Sequence, residues 1–264
     1  MKTIREATVG KLTLRLVRRD GTFIGLIFAA DGSRKAQIEG DAADDVWRRL
    51  HHEAGKANPR YFGYDGARAR FARFFPEGFQ SAEYAKQERD YKIDAKSKLE
   101  RTAPLSEAAV GSGFGEAILA VFGSTNLLFR VEKAKLQSVL RSPTADTFIR
   151  AAAQFAITKE RAALLDMERV LKPHDSAKWT VVTYLPFLWC PEEHMFLKPE
   201  VTKDFAARVG HRFASDYQAR LDIEVYTSLL DLVEETEEQL DVLKPRDRID
   251  VQSFIWVVSS YDEL

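Results

Sequence analysis

Alternation of apolar and polar positions opens the chain. Leu12, Leu14 and Leu16 fall on one side of residues 11–17, with Lys11, Thr13 and Arg15 on the other, which is the two-residue period of a half-buried strand. Asp20-Gly21 and Asp31-Gly32 are hairpin signals, because glycine accepts the positive φ that tight turns require. They bracket a Phe- and Ile-rich strand over residues 22–29 and lead into another over 34–39. A strand over residues 3–9, turning at Gly10, precedes them. The period then lengthens. Val46, Trp47 and Leu50 make a helical stripe behind Gly40-Asp41, with Asp41 as the candidate N-cap. The order is ββββα, an antiparallel sheet with one face covered by a helix.

A helix starting near Asp65 would put Ala67, Phe71, Phe74 and Phe75 on one face and Arg70 and Arg73 on the other. A strongly polar helix over residues 81–101 carries a sparse stripe of Tyr84, Tyr91, Ile93 and Leu99, so it is either a solvated connector or a narrow contact. Beyond Pro104 the helical period recurs at 106–122, 132–141, 144–157, 159–171, 200–209, 222–243 and 247–260. Residues 179–197 interrupt it, with Pro186 and Pro191 as breakers and 180–184 as a short strand. The fold class is α+β: an N-terminal four-stranded antiparallel sheet with a helix, followed by a mainly α-helical C-terminal domain.

Charge changes this picture. The 264 residues hold 39 Lys+Arg and 40 Asp+Glu, but residues 1–105 carry 21 and 15 of them and residues 106–264 carry 18 and 25. A balance of +6 stands beside one of −7, with the break at Pro104. The expected domains are a basic ββββα domain with its connector helix, 1–104, and an acidic, mainly helical domain, 105–264. The one cysteine, Cys190, excludes an internal disulfide framework and any multi-cysteine metal cage. No apolar run approaches the ~18–20 residues of a membrane span. Charges stand near the N-terminus where a signal peptide needs an apolar stretch, so a cytoplasmic protein is expected.

The candidate chemistry centres on residues 60–75, where Arg60, Arg68, Arg70 and Arg73 interleave with Tyr61, Phe62 and Tyr64 and the Phe residues that follow. Guanidinium groups contact phosphates and flat rings stack on unpaired bases, the usual means of holding single strands. Lys11 and Arg15 on the sheet extend the same surface. The competing reading is an amphipathic helix sealing a sheet, its rings in the core and its arginines solvated.

Other patterns are weaker. The glycines of residues 111–116 lack both the dinucleotide spacing and a P-loop Gly-Lys-Ser/Thr, and read as a flexible helix start. Cys190 and His194 read as a buried structural thiol beside a surface imidazole, because no third group orients a catalytic pair. His51 and His52 read as structural. Asp90, Asp94 and Lys96 superficially match a metal-dependent nuclease triplet but sit in a helical segment, the wrong geometry. No metal site and no cofactor are expected. Within residues 224–243, Val225, Leu229, Leu232, Val233, Thr236, Leu240 and Leu243 share a stripe opposite an acidic face of Asp231, Glu234, Glu235, Glu237, Glu238 and Asp241. Ile249, Val251, Phe254, Ile255 and Val258 form an apolar terminal element suited to a bundle core or a homo-oligomer interface.

The stretches His194-Met-Phe-Leu-Lys-Pro199 and Ile249-Asp-Val-Gln-Ser-Phe-Ile-Trp-Val-Val258 resemble the tail of a group of uncharacterised bacterial proteins. That resemblance implies a bacterial origin and carries over no functional residue. The ββββα order resembles, in topology alone, one repeat of the Pur/PC4-type folds, in which a curved sheet receives a single strand. The resulting expectation is a non-enzymatic nucleic-acid-binding or accessory protein for single-stranded or duplex nucleic acid. The alternatives are a protein–protein adaptor using the C-terminal helices and a metal-dependent nuclease.

Overall fold

The computed structural model describes residues 2–261. Strands β1 (Lys2–Val9), β2 (Leu12–Arg19), β3 (Thr22–Phe28) and β4 (Arg34–Gly40) pair antiparallel in sequence order. The register pairs Leu14 with Ile27 and Leu16 with Gly25, so one face of the sheet is continuously apolar. Helix α1 (Ala43–Gly55) lies on that face, and Leu14, Leu16, Ile27, Val46, Trp47 and Leu50 form the core between them. Burying each of the larger side chains contributes roughly 1.5–3 kcal/mol. Gly25 lets the helix approach, since a Cβ there would lie 2.9 Å from a Leu50 methyl. Asp41 does not cap this helix. Ala42 occupies the N-cap position with no side-chain bond, and Asp44 and Asp45 in the first turn complement the helix dipole.

The chain divides into two compact units, and the division does not fall at Pro104. The first unit holds residues 1–70 together with 200–217, and the second holds 71–199 with 218–264. The boundary therefore lies inside α2 (Gly63–Phe74), after Arg70. The charge asymmetry survives the revised boundary. The first unit carries 17 Lys+Arg and 12 Asp+Glu, a balance of +5, and the remainder carries 22 and 28, a balance of −6.

Within the first unit, helix Pro199–Val209 docks on the segment that follows α1. Gly55 at the end of α1 meets Gly210, which adopts φ of +80°. A Cβ on Gly55 would lie 2.6 Å from the Gly210 Cα. Alanine ordinarily improves a helix by ~1 kcal/mol over glycine, yet forcing backbone apart costs ~1–3 kcal/mol. Gly55→Ala is therefore expected to lower the urea midpoint, by about 1–2 kcal/mol of stability. An unchanged or raised midpoint would show that the two backbones do not meet this closely.

The second unit is helical, and helices Arg130–Leu140, Ala145–Thr158 and Arg161–Leu171 match the expected periodicity closely, whereas the helix expected over 106–122 is split by the glycine-rich turn into Leu105–Ala108 and Gly115–Gly123. Gly115 is required by packing, because a Cβ there would lie 2.3 Å from the Leu140 carbonyl oxygen. Residues 180–184 are not a strand. Trp179–Val182 and Tyr184–Trp189 are helical turns buried on every side, so their uniform apolarity carried no strand information. Helix Arg248–Ser260 is likewise enclosed within the single chain, with Ile249, Val251, Phe254, Val257 and Val258 all buried. That burial removes the reason for expecting an oligomer through this element.

The polar helix after residue 81 is no solvated connector. A π-turn over Ala85–Arg89 precedes helix Asp90–Thr102, and Glu88, Arg89, Lys92, Ala95 and Leu99 are all buried. Its charges are absorbed by helix Arg248–Ser260. Tyr84 donates to Asp250 at 2.6 Å, and Arg89 donates to both Asp250 (2.8 Å) and Asp247 (2.6 Å). Glu235 also departs from expectation, since it is buried rather than on the solvated acidic face of Ile223–Gln239. Among the described residues no helix is long and apolar enough to cross a membrane.

Candidate nucleic-acid interface

Strand alternation assigns Thr13, Arg15 and Val17 of β2, and Ile24, Leu26 and Phe28 of β3, to the sheet face opposite α1. Arg15 is the cationic centre of this face. Its Nε donates to Glu6 on β1 at 2.8 Å, and its guanidinium lies 5.8 Å from the centroid of the Phe28 ring. Phe28 is half-buried and pairs across the β3–β4 hairpin with Arg34, which is exposed and donates to Gln37 at 2.9 Å. The β1–β2 and β3–β4 turns fall at the same end of the sheet, which brings exposed Lys11 and Lys35 to that end. At the other end, Arg18 lies 5.4 Å from the Phe23 ring centroid, beside exposed Arg19. A guanidinium over a ring keeps its outward N–H groups available to an anion while its flat face covers apolar surface.

Lys11 also stands at the mouth of a mostly apolar cavity of about 670 Å³, lined by Val9, Leu12, Ala54, Pro59 and Ala207.

The basic-aromatic segment is placed differently from its expectation as an open stacking surface. Tyr64 is buried, its ring edge-on to Phe205 at 6.1 Å, and presents no face to a base. Tyr61 is half-buried, its ring against Gly210 and Gly63. The Phe62 N–H donates to the Arg208 carbonyl at 3.0 Å, and the Arg208 guanidinium covers the Phe62 ring at 5.6 Å. These three rings hold helix Pro199–Val209 in the first unit. Arg60 remains exposed and pairs with Asp204 at 2.9 Å, while Arg68 pairs with Asp65 one turn earlier in α2. Arg73 is exposed and Arg70 half-buried. Phe71 and Phe75 are core residues of the second unit, packed with Tyr84 and Phe79. The structure thus brings Lys11 and Arg15 together at the sheet, and it disperses the 60–73 residues into packing and local ion pairs.

Phe28 and Arg34 were absent from the sequence-level candidates. The sequence misleads here by one residue: counting outward from a two-residue Asp31-Gly32 turn places Lys35 opposite Phe28, and the register shift between Ile27 and Phe28 puts Arg34 there instead.

The Cys190–His194 reading is reversed. His194 is the buried member, held between the Tyr226 hydroxyl at 2.8 Å and the Ala156 carbonyl at 3.0 Å, and burial lowers its pKa to about 4. Cys190 is half-exposed, and burial together with Glu193 and Glu192 pushes its thiol up, away from a reactive thiolate. Asp90, Asp94 and Lys96 lie along one helix as expected. Among the described residues no three His, Cys, Asp or Glu side chains are grouped to hold a metal ion.

No family model matches the chain, and comparison with curated proteins and with solved structures gives no match.

Proposed function

We propose that the first unit binds single-stranded nucleic acid through the sheet face opposite α1, with Arg15 and Arg34 on the phosphates and Phe28 as the stacking ring. The observation that carries this reading is the Arg15 guanidinium over Phe28, with Arg34 as that ring's cross-strand neighbour. Exposed Lys11 and Lys35 at the same end and the +5 balance of the unit supply the long-range attraction. Arg15 shares its charge with Glu6, so its contribution depends on exchanging that carboxylate for a phosphate. Arg60, Arg68, Arg70 and Arg73 are auxiliary backbone contacts in this reading, and Tyr61, Phe62 and Tyr64 are structural supports.

Anisotropy of a labelled 20-nucleotide oligothymidine, with a duplex of equal length beside it, provides the test. With about three phosphates contacted, a fourfold rise in salt should weaken single-strand binding by roughly 20-fold. Phe28→Ala should weaken it by ~1–3 kcal/mol, the usual worth of one stacked base. Arg15→Ala combined with Arg34→Ala should flatten the salt dependence. Absence of any shift at 50 mM salt with either oligonucleotide would overturn the proposal. Circular dichroism of each variant keeps lost binding distinct from lost folding.

A further inference from the structure

We infer that the first unit also binds a free medium-chain fatty acid, with its acyl tail in the apolar cavity beside the β1–β2 turn and its carboxylate on Lys11. Every residue that lines this cavity belongs to the first unit, so the site is complete within it. Its volume of about 670 Å³ falls in the range of small-molecule pockets. The nucleic-acid reading rests on Arg15 and Phe28 across the sheet, so the two are independent.

The lining sets the class of the tail. Val9 and Leu12 pack against the core between the sheet and α1, and Ala54, 2% exposed, belongs to that core. The floor of the cavity therefore continues the hydrophobic interior. Ala207 brings a short side chain from the returning 200–217 segment, and exposed Ala57 forms part of the rim. No aromatic ring lines the cavity among the described residues, so nothing there would stack on a base or another flat ligand. Methyl and methylene surface of this kind suits a flexible aliphatic chain. At about one water volume (~30 Å³) per carbon, a chain of roughly 8–12 carbons fills up to about half of the space and leaves the rim to solvent.

Charge sets the head group. Asn58 and Ser215 are engaged within the protein. The Asn58 Nδ2 donates to the Ala207 carbonyl at 3.4 Å, its Oδ1 accepts from the Arg60 N–H at 3.0 Å, and the Ser215 hydroxyl donates to the Arg212 carbonyl at 2.8 Å. No Asp or Glu lines the cavity, and Lys11 has no ion-pair partner among the described residues. Gly10, at φ of +60°, and Lys11 form a two-residue turn between the paired Val9 and Leu12. That turn leaves Lys11 exposed at the rim, where its four-carbon arm can lie along apolar wall while the ammonium stays in water. One cation at the mouth of an otherwise uncharged apolar hollow complements a single anionic head on an aliphatic tail.

Calorimetry on the full chain, with decanoate below its aggregation concentration and no nucleic acid present, provides the test. Decanoate should bind one per chain with a dissociation constant below about 1 mM. Affinity should rise roughly two- to fourfold per methylene from hexanoate to decanoate, the worth of a buried CH₂. Decyltrimethylammonium, with the same tail and the opposite charge, should bind about fivefold more weakly, and Lys11→Glu should weaken decanoate by about the same factor. Ala207→Leu takes the space of about three methylenes and should weaken decanoate by about tenfold or more. If circular dichroism shows that this variant unfolds, Ala57→Leu at the exposed rim is read in its place. The site is overturned by no heat at millimolar decanoate, by several molecules bound per chain, by affinity indifferent to chain length or head-group charge, or by full affinity in the cavity-filling variant. Sedimentation with phosphatidylglycerol vesicles in the absence of decanoate binding would assign the cavity to a membrane lipid and overturn the free acid. Oligonucleotide anisotropy reads the other sheet face, so failure of either proposal leaves the other standing.

Discussion

Asp250→Ala is expected to destabilise the helical unit by about 3–5 kcal/mol, the usual consequence of removing one member of a buried charge network. Asp250 is 0% exposed and accepts from Tyr84 at 2.6 Å, from Arg89 at 2.8 Å and from the Arg246 Nε at 2.9 Å. Burial pushes its carboxyl up, but hydrogen bonds from Arg246 and Tyr84 and the Arg89 charge outweigh it and hold the carboxyl below the ordinary range. Truncation leaves the Tyr84 hydroxyl buried without its acceptor and leaves Arg89 with Asp247 alone. Asp250→Asn should cost less, because the amide oxygen still accepts one of these bonds. Urea unfolding followed by circular dichroism gives the comparison. A loss under 1 kcal/mol for the alanine variant would mean that the network is solvated rather than closed. The same carboxylate fixes a pH window. Its pKa is depressed in the folded state, so its stabilisation is present above the ordinary carboxylate range and is lost as pH falls through the lower folded value.

Acid should act at a higher pH through two histidines. His51 in the first unit is held neutral, its pKa lowered to about 3 by burial and by the charges of His211, Arg212 and His52. His194 in the second unit is lowered to about 4, chiefly by burial. Both sit below the unfolded value of 6.5, so unfolding takes up protons as pH falls below 6.5, and stability drains from there toward the folded values. At pH 4.5 each group should remove on the order of 2–3 kcal/mol relative to neutral pH. His51 offers a clean control. Its Nε2 is buried without a hydrogen-bond partner among the described residues, and its ring lies edge-on to Trp47 at 4.9 Å. His51→Leu should therefore match the parent near pH 7.5 and unfold at a higher urea concentration at pH 4.5. Parallel curves for the two proteins across that range would refute a neutral, buried His51.

Much of the architecture was legible because it depends on period. The hairpins at Asp20-Gly21 and Asp31-Gly32, the leucine face of β2 and the stripe of α1 are local patterns that no distant contact overrides. Local pattern failed where burial was complete. Residues 179–189 are apolar throughout, so neither period shows, and the helical turns there were misread in part as a strand. It failed again along residues 84–99, where Glu88, Arg89 and Lys92 read as solvent-facing but are buried. A charged residue reports its own hydration preference and not the countercharges brought to it from 158 and 161 residues away.

The candidate site shows the same division. Arg15 and Lys11 were visible as polar positions on an alternating strand. The fate of the 60–73 segment was not, because helix Pro199–Val209, with Asp204, Phe205 and Arg208, reaches it only through the fold. The sequence by itself determined the sheet, its covering helix, the helical class of the remainder and the presence of a basic half and an acidic half. Tertiary structure decided where those halves end, by returning residues 200–217 to the first unit. It also turned the rings of Tyr61, Phe62 and Tyr64 from exposed candidates into packing. The physical reason is that hydrophobic burial is indifferent to sequence separation, so an aromatic ring fits a base or a helix equally well until a partner is placed against it.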